Sequence, residues 1–191
     1  MIRFPKAIRW LLTKIFANEK QPYLKEIGVD SWAGNHFGGI DTFGSLRNAI
    51  KCKRTKKKTG VDPRDCWDMD SAFFDWLYTH LCQLLKDTNC DLTATSYEHN
   101  GKTYTEGEYI EYLKDLCRQV MLFDEFKDCP DLEYEFEKNK DLEGCSTLKW
   151  KTSEEELEKF REQTKKNHEE LQNIEKEVFD VFYELLHSLW W

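Results

Sequence analysis

The feature that most constrains the fold is the C-terminal stretch from Ser153 to Trp191, which contains neither glycine nor proline. It opens with Ser153-Glu154-Glu155-Glu156, the capping-box pattern in which a serine and a glutamate three residues later satisfy each other's backbone amides. A mostly apolar seam then recurs at intervals of three or four residues, which is typical of a helix packed lengthwise on other helices. The seam comprises Leu157, Phe160, Thr164, Leu171, Ile174, Val178, Val181, Leu185 and Leu189. The stretch therefore predicts one long C-terminal helix.

Two parts of this predicted helix differ in polarity. Residues 161–170 are almost wholly polar, so we expect a bend or a solvated segment there. Residues 178–191 are apolar on nearly every side, which is typical of a buried helix. We therefore expect Trp190 to be packed against the rest of the chain.

Charge is divided unevenly along the chain. Residues 1–58 contain 13 Lys or Arg against 4 Asp or Glu, a net of +9, and the remainder contains 15 against 32, a net of −17. Either the basic arm pairs with the acidic body, or it offers a basic surface to phosphates. We predict a basic N-terminal arm at residues 1–58, with a short amphipathic helix and a glycine-rich loop, and a helical domain at residues 59–191.

The other secondary-structure signals are local. Helices are predicted at residues 6–18, 70–87 and 107–126. Asn100-Gly101 suits a type I′ turn and predicts a short hairpin within residues 93–105. We interpret residues 28–45 as a loop and residues 131–150 as an acidic, irregular segment. The predicted fold is an all-α helical bundle of three to five helices with one short β-hairpin and a long C-terminal helix.

The seven cysteines indicate a reducing compartment. None forms a C-x-x-C pair, so their spacing matches neither a zinc ribbon nor a disulfide framework. Arg9 and Lys14 interrupt the only apolar run near the N-terminus, and no stretch is long enough to span a bilayer. We therefore expect a cytoplasmic protein that does not associate with membranes.

Paired carboxylates raise an enzymatic alternative. Glu155 with Glu158, and Glu177 with Asp180, imitate the signature of all-α nucleotide pyrophosphatases, which hold Mg²⁺ between helices. In one uninterrupted helix the two pairs would lie about 33 Å apart, too far to share an ion. We therefore predict no catalytic residue, no metal and no cofactor, with a Mg²⁺-dependent nucleoside triphosphate pyrophosphatase as the alternative.

A basic run suggests an anion site. Residues 51–58 contain six positive charges, which fit either a solvated surface or a contact with a polyanion. Aromatic faces beside fixed positive charge hold a base together with its phosphate. We predict that phosphate is bound by Lys56, Lys57, Lys58 and Arg64. We predict that a stacking face is provided by Trp67, Tyr97 or Tyr104.

Two stretches resemble small tailed-phage proteins. Residues 56–77 follow a pattern of basic run, glycine, short turn, Asp-x-Trp-x-(Leu/Met)-Asp and amphipathic helix, and residues 179–191 resemble a C-terminal helix ending in Leu-Trp. The resemblance covers residues 56–126 and 165–191, but Tyr109 or Tyr112 stands where those proteins have a tryptophan. It implies a phage origin and transfers no catalytic residue.

These observations lead to a functional hypothesis. We expect a phage accessory protein, acting in the host cytoplasm as a homo-oligomer, that sequesters an anionic nucleotide-type signal of host antiviral defence without cleaving it. The non-enzymatic alternative is direct binding and masking of a host defence protein.

Overall fold

The computed structural model describes residues 4–16, 22–29, 42–64, 66, 69–87, 92–93, 95–138, 146–186 and 189. These residues form six helices and four strands. In chain order they are α1 (Lys6–Phe16), α2 (Pro22–Glu26), α3 (Phe43–Thr59), α4 (Met69–Asp87), β1 (Ser96–His99), β2 (Lys102–Thr105), α5 (Glu106–Met121), β3 (Tyr134–Lys138), β4 (Ser146–Trp150) and α6 (Glu154–Leu185). The prediction of a mainly helical chain is confirmed, whereas Trp67 and Trp190 lie outside the described residues.

The long C-terminal helix is confirmed, and it is continuous. The Ser153 amide donates to Oε2 of Glu156 at 3.2 Å, and the Glu156 amide donates to Oγ of Ser153 at 3.3 Å, which completes the predicted capping box. From there α6 runs to Leu185 without a break, so residues 161–170 are helical. Of the two expectations for this segment, a bend or a solvated stretch, the second fits, because most of its residues are exposed.

Two predictions of irregular structure were wrong. Phe43 begins a helix that runs to Thr59, whereas we expected a loop to continue through residue 45; residues 30–41 of that predicted loop lie outside the described residues. Residues 134–138 and 146–150 pair as a second antiparallel hairpin, whereas we expected one hairpin in the whole chain. In both cases a local pattern was present, namely a capping box at Thr42 and an alternation of aromatic and acidic residues in β3.

The chain divides into two compact units. The first comprises Met1–Leu122 with Asp180–Trp191, and the second comprises Phe123–Phe179. The boundary predicted after residue 58 falls within the first unit. Among the described helices, none combines the length and apolar composition needed to cross a bilayer.

The core of the first unit lies where α4 packs along α5. Apolar side chains on one face of each helix meet there, because residues three and four apart share a helix face. The buried members are Phe74, Leu77, Tyr78 and Leu81 of α4, Tyr109, Ile110, Leu113, Leu116 and Cys117 of α5, and Val181 and Leu185 at the end of α6. Phe182 contacts Phe73 edge-to-face at 6.0 Å between ring centroids. Around this core, α2 packs on α4, α1 packs on α3, and the β1–β2 hairpin packs on α5.

The second unit contains the β3–β4 hairpin and residues 154–179 of α6. Asn167 is buried in the polar middle of that helix and fixes the preceding turn. Its amide nitrogen donates to the carbonyl of Glu125 at 3.0 Å and to that of Lys127 at 2.8 Å, and its oxygen accepts from Gln163 at 2.9 Å. The side chain of Asn167 thus hydrogen-bonds to two carbonyls of a turn that lies outside the helices and strands.

Candidate anion-binding groove

Both ends of α3 are fixed by local sequence. The Ser45 amide donates to Oγ1 of Thr42 at 3.2 Å, and the Thr42 amide donates to Oγ of Ser45 at 3.0 Å, so two amides of the first turn are satisfied. At the other end Gly60 adopts φ 81°, and its amide donates to the Lys56 carbonyl at 2.8 Å. Glycine suits this left-handed position because it has no Cβ. The caps therefore fix where the helix begins and ends, and the helix determines the face on which each basic residue lies.

Four cations form a line along one face of α3, which we call the basic stripe. It consists of Arg47, Lys51, Arg54 and Lys58, all exposed. Steps of four, three and four residues place neighbouring Cβ atoms about 5–6 Å apart. At about 1.5 Å per residue the stripe is roughly 16 Å long.

The basic stripe is not neutralised by the described part of the chain. No salt bridge joins any of its four cations to a carboxylate among the described residues. Some cations elsewhere are paired, since Lys159 pairs with Glu155 and Arg161 pairs with Glu154 and Glu158. The stripe therefore keeps its positive charge available at the surface.

The basic stripe runs along a groove of about 1020 Å³. The described lining comes from α3 alone, and because successive helical residues are about 100° apart, the two sides of the basic stripe carry different chemistry. The apolar side is formed by Phe43, Leu46 and Ile50, and the polar side by Gly44, Asn48 and Thr55. The Phe43 side chain is 69% exposed and contacts Phe4 at 4.6 Å between ring centroids. Such a groove offers charge-assisted hydrogen bonds beside an aromatic face.

The three lysines predicted as phosphate ligands occupy the last turn of α3. Because they are consecutive, they point in three directions about 100° apart and do not converge on one phosphate. Lys58 lines the groove. Lys57 is exposed outside its described lining, and Lys56 lies near enough to Asp62 to lower the pKa of that carboxyl.

Arg64, the fourth predicted phosphate ligand, is buried against Asp62. Their exposed fractions are 6% and 3%. Nε and Nη2 of Arg64 donate to the two carboxylate oxygens at 2.9 and 2.5 Å, and the Arg64 amide donates to Oδ1 at 3.0 Å. Burial alone would raise the pKa of Asp62, but the Arg64 hydrogen bonds and the charges of Arg64 and Lys56 outweigh burial and lower it. Arg64 therefore stabilises the turn after α3, and its guanidinium is not part of the groove.

The two predicted stacking tyrosines belong to an aromatic cluster between the β1–β2 hairpin and α5. Tyr97 stacks on Tyr109 at 4.9 Å, and Tyr104 stacks on Tyr112 at 5.4 Å between ring centroids. The Tyr109 hydroxyl donates to Oε2 of Glu184 at 2.5 Å. Burial, and then this carboxylate, raise the pKa of Tyr109. Lys102 lies over the Tyr104 ring at 4.4 Å.

The predicted site residues do not form one cluster in the described structure. Among the described elements α3 packs on α1, whereas the hairpin that carries Tyr97 and Tyr104 packs on α5. Trp67, which was expected to lie beside the basic run, is outside the described residues. The groove on α3 instead has its own aromatic side chain, Phe43.

The carboxylate pairs of the enzymatic alternative lie on one continuous helix. Glu155 and Glu177 are 22 residues apart in α6, which corresponds to about 33 Å. The helical break that would bring the pairs together is absent from residues 161–170. Among the described residues, no group of three or more His, Cys, Asp or Glu side chains is arranged to hold a metal ion.

Comparison with protein-family models, with curated proteins and with solved structures finds no match to this chain. Sequence reasoning missed Arg47, and it did not select Lys51 and Arg54 as ligands within the basic run, because it treated that run as a linear segment. The capping pattern Thr42-x-x-Ser45, followed by cations in steps of four, three and four, was the signal that could have identified them.

Proposed function

We propose that this protein binds an anionic, nucleotide-type ligand in the groove of α3 and sequesters it without cleaving it. The observation that carries the proposal is the basic stripe, whose four cations have no carboxylate partner in the described chain. The chain as a whole has a net charge of −8, so carboxylates that could neutralise the stripe are abundant in the sequence. A line of unneutralised cations attracts and orients phosphates.

The two sides of the groove favour a nucleotide over an inorganic anion. A nucleobase stacks on the exposed ring of Phe43 and packs on Ile50, while phosphates follow the basic stripe. Asn48 and Thr55 on the polar side hydrogen-bond to sugar hydroxyls or phosphate oxygens. A stripe roughly 16 Å long spans more than one phosphate group. The proposed ligand class is therefore a nucleotide with two or more phosphates, such as a short or cyclic oligonucleotide or an ADP-ribose derivative.

The described lining supports binding rather than hydrolysis. Its polar groups are guanidinium, ammonium, amide and hydroxyl groups, which bind phosphate oxygens. Hydrolysis of a phosphoester also needs a base or a metal ion to activate water. We therefore propose that the ligand leaves the protein unchanged.

The proposed biological setting rests on the resemblance in the sequence. The resemblance to small tailed-phage proteins supports a role for the protein in the host cytoplasm as a counter-defence factor that removes a nucleotide signal of antiviral immunity. We also propose that it acts as a homo-oligomer, since large apolar side chains such as Phe136 and Tyr183 are exposed on the described chain. In this setting the protein binds the signal and so lowers its free concentration by mass action.

Calorimetric titration of the full chain with linear and cyclic oligonucleotides and with ADP-ribose derivatives tests the proposal. We expect micromolar or tighter binding of at least one of them. Lys51→Glu and Arg54→Glu should each weaken that binding at least tenfold, because each replaces a stripe cation with a repelling charge. The ligand released after heat denaturation should have an unchanged mass, which separates sequestration from cleavage.

Lys57→Glu is the matched control. It makes the same charge change on the same helix, at an exposed lysine outside the described groove lining. Equal weakening by Lys57→Glu and Lys51→Glu would mean that ligands follow the linear lysine run and not the groove. If no nucleotide binds and a host defence protein is retained instead, masking of that protein replaces sequestration. Release of pyrophosphate from nucleoside triphosphates would establish the enzymatic alternative.

A further inference from the structure

The four cations of the basic stripe lie almost straight along α3. With about 100° of rotation per residue, they stand at relative angles of about 0°, 40°, −20° and 20° around the helix axis, in the order Arg47, Lys51, Arg54 and Lys58. They therefore fall within a sector of about 60°. At about 1.5 Å per residue, successive cations are separated along the axis by about 6, 4.5 and 6 Å. The stripe is thus an extended line of charge and not a compact cluster.

Phe43 continues this line at its N-terminal end. It lies four residues before Arg47, which places it about 40° to one side and about 6 Å further along the axis. Phe4 meets its ring at an interplanar angle of 62°, so the two rings do not stack, and 69% of the Phe43 side chain is exposed. Leu46 and Ile50 on the apolar side of the groove also belong to the N-terminal half of α3. Aromatic and apolar contact is therefore concentrated at one end of the line of charge.

The line of charge ends soon after Lys58. The helix stops at Thr59 and is capped by Gly60. The next cation in the sequence is Arg64, which pairs with Asp62 in a buried turn. The stripe therefore has a defined length of four cations, with an aromatic ring before the first and a neutralised arginine after the last.

This geometry distinguishes between the nucleotide classes that the proposed function leaves open. In a pyrophosphate the two phosphates share an oxygen, so an ADP-ribose derivative places both charges beside one or two neighbouring cations. A cyclic oligonucleotide is closed into a ring, so a straight line meets only neighbouring phosphates on one side of it. In an open single strand a sugar separates successive phosphates, and the flexible strand can follow a straight charged groove. The open strand is the form that engages all four cations.

The exposed aromatic ring favours an unpaired strand over a duplex. Bases inside a duplex are paired and stacked on each other, whereas an unpaired base has a face available for the ring of Phe43. Stacking on an aromatic ring tolerates every base, because every base has a π-face. Recognition in this groove therefore depends on the length and topology of the strand more than on its sequence.

We propose that the ligand of the groove is an open, single-stranded oligonucleotide that lies along α3, with one base on Phe43 and one phosphate on each of the four cations. This inference rests on the proposed function and narrows its ligand class. Closed rings and pyrophosphate-linked nucleotides then bind more weakly, because they leave part of the stripe unoccupied.

A length series tests the match between cations and phosphates. Oligothymidylates and oligouridylates with one to about eight phosphates are titrated into the full chain, and the two series separate DNA from RNA as the source of the strand. The association constant should rise at least tenfold between one and about four phosphates and then level off. At that plateau the slope of log K against log salt concentration should be about −2.8, from about −0.7 for each of four neutralised phosphates.

Topology is tested at constant composition. A linear tetrathymidylate with a 5′-phosphate and the corresponding cyclic tetranucleotide contain the same bases and the same number of phosphates. The linear form should bind at least tenfold more tightly, because it can align its phosphates with the stripe. ADP-ribose, and the same linear strand paired into a duplex, should each compete at least tenfold less well than the free strand.

Variants at the two ends of the stripe report the path of the strand. Arg47→Gln combined with Lys58→Gln leaves two stripe cations, so the plateau should move from about four phosphates to about two. Lys57→Gln is the control and should leave the plateau in place. Phe43→Ala should weaken binding about tenfold at every length. Phe126→Ala removes another exposed ring, 61% accessible and outside the described groove lining, and should leave affinity unchanged.

The possible failures are distinguishable. Equal affinity for the linear and cyclic tetranucleotides, affinity that keeps rising beyond about eight phosphates, or a plateau unmoved by the double variant would overturn this inference while leaving nucleotide binding intact. Absence of binding by every linear, cyclic and ADP-ribose ligand would overturn the proposed function together with it. Circular dichroism checks that each variant keeps its helicity.

Discussion

The carboxylate of Asp62 holds the guanidinium of Arg64 through both of its oxygens, at 2.9 and 2.5 Å, in a buried turn directly after the basic stripe. The backbone amide of Arg64 donates to the same carboxylate, so one side chain fixes both the position of the arginine and the path of the chain. The charge of Arg64 is thereby neutralised within the fold. This explains physically why Arg64, although it follows the lysine run closely, belongs to the turn and not to the groove.

Loss of the Asp62 carboxylate should destabilise the first unit. Asp62→Ala removes both carboxylate acceptors from a buried guanidinium, and breaking a buried ion pair in this way typically costs about 3–5 kcal/mol. Urea denaturation followed by circular dichroism measures the loss. The double variant Asp62→Ala with Arg64→Leu removes the buried positive charge as well and should recover much of the stability. If the double variant is no more stable than Asp62→Ala, the guanidinium is not the source of the cost.

The same pair predicts an acid-sensitive contribution to stability. The pKa of Asp62 is lower in the folded protein than its value of about 3.9 in an unfolded chain. Its contribution is therefore fully present above about pH 4 and is lost as pH falls from there through the lowered folded pKa. Thermal melts of the wild type and Asp62→Asn between pH 7 and 2 should differ by a constant amount above pH 5 and converge below pH 4. A difference that grows on acidification would reverse the assigned sign.

Asn167→Leu should loosen the turn that precedes the second hairpin. The change removes the donor to the carbonyls of Glu125 and Lys127, and the loss of such a hydrogen bond costs about 0.5–1.5 kcal/mol. Amide hydrogen exchange should accelerate in residues 123–130. Asn173→Ala, an exposed asparagine on the same helix, is the control and should leave that exchange unchanged. Equal acceleration in both variants would mean that the effect comes from α6 itself.

Nucleotide binding at the basic stripe should weaken with salt in proportion to the number of cations engaged. For single-stranded ligands each neutralised phosphate contributes about −0.7 to the slope of log K against log salt concentration. Lys51→Gln should make the slope less negative by about that amount, whereas Lys57→Gln should leave it unchanged. Titrations at three or more salt concentrations give both slopes. A slope near zero in the wild type would contradict ion pairing as the source of affinity.

Local signals explain the part of the fold that could be predicted. The Ser153 capping box, the apolar period of α4 and α5, and the Asn100-Gly101 turn each act within a few residues, and Asn100 and Gly101 have the positive φ angles that such a turn needs, 50° and 74°. Pairing of β3 with β4 is not local in this sense. It joins Tyr134 to Trp150 across an acidic and lysine-containing segment, and nothing in either strand alone selects its partner.

The site was harder to predict than the fold because it depends on helical phase. Lys58 was predicted and lines the groove, but which other cations share its face depends on the presence of a helix from Phe43 onward. That start is set by Thr42 and Ser45, at the end of a segment whose glycines suggested a loop. Burial of Arg64 could not be anticipated either, since Asp62 two residues earlier looks like an ordinary turn aspartate until both side chains are seen to be covered.

The geometry of the basic stripe also limits how this protein can diverge. Exchanging lysine for arginine at any of its four positions keeps the line of charge, whereas inserting one residue between Lys51 and Arg54 would turn Arg54 and Lys58 about 100° away from Arg47. Neutral drift at this helix should therefore accumulate as changes of residue type and not of length. The spacing between the four cations is therefore what must be kept for the proposed site. Deleting a single codon within it would disturb that site more than losing one positive charge.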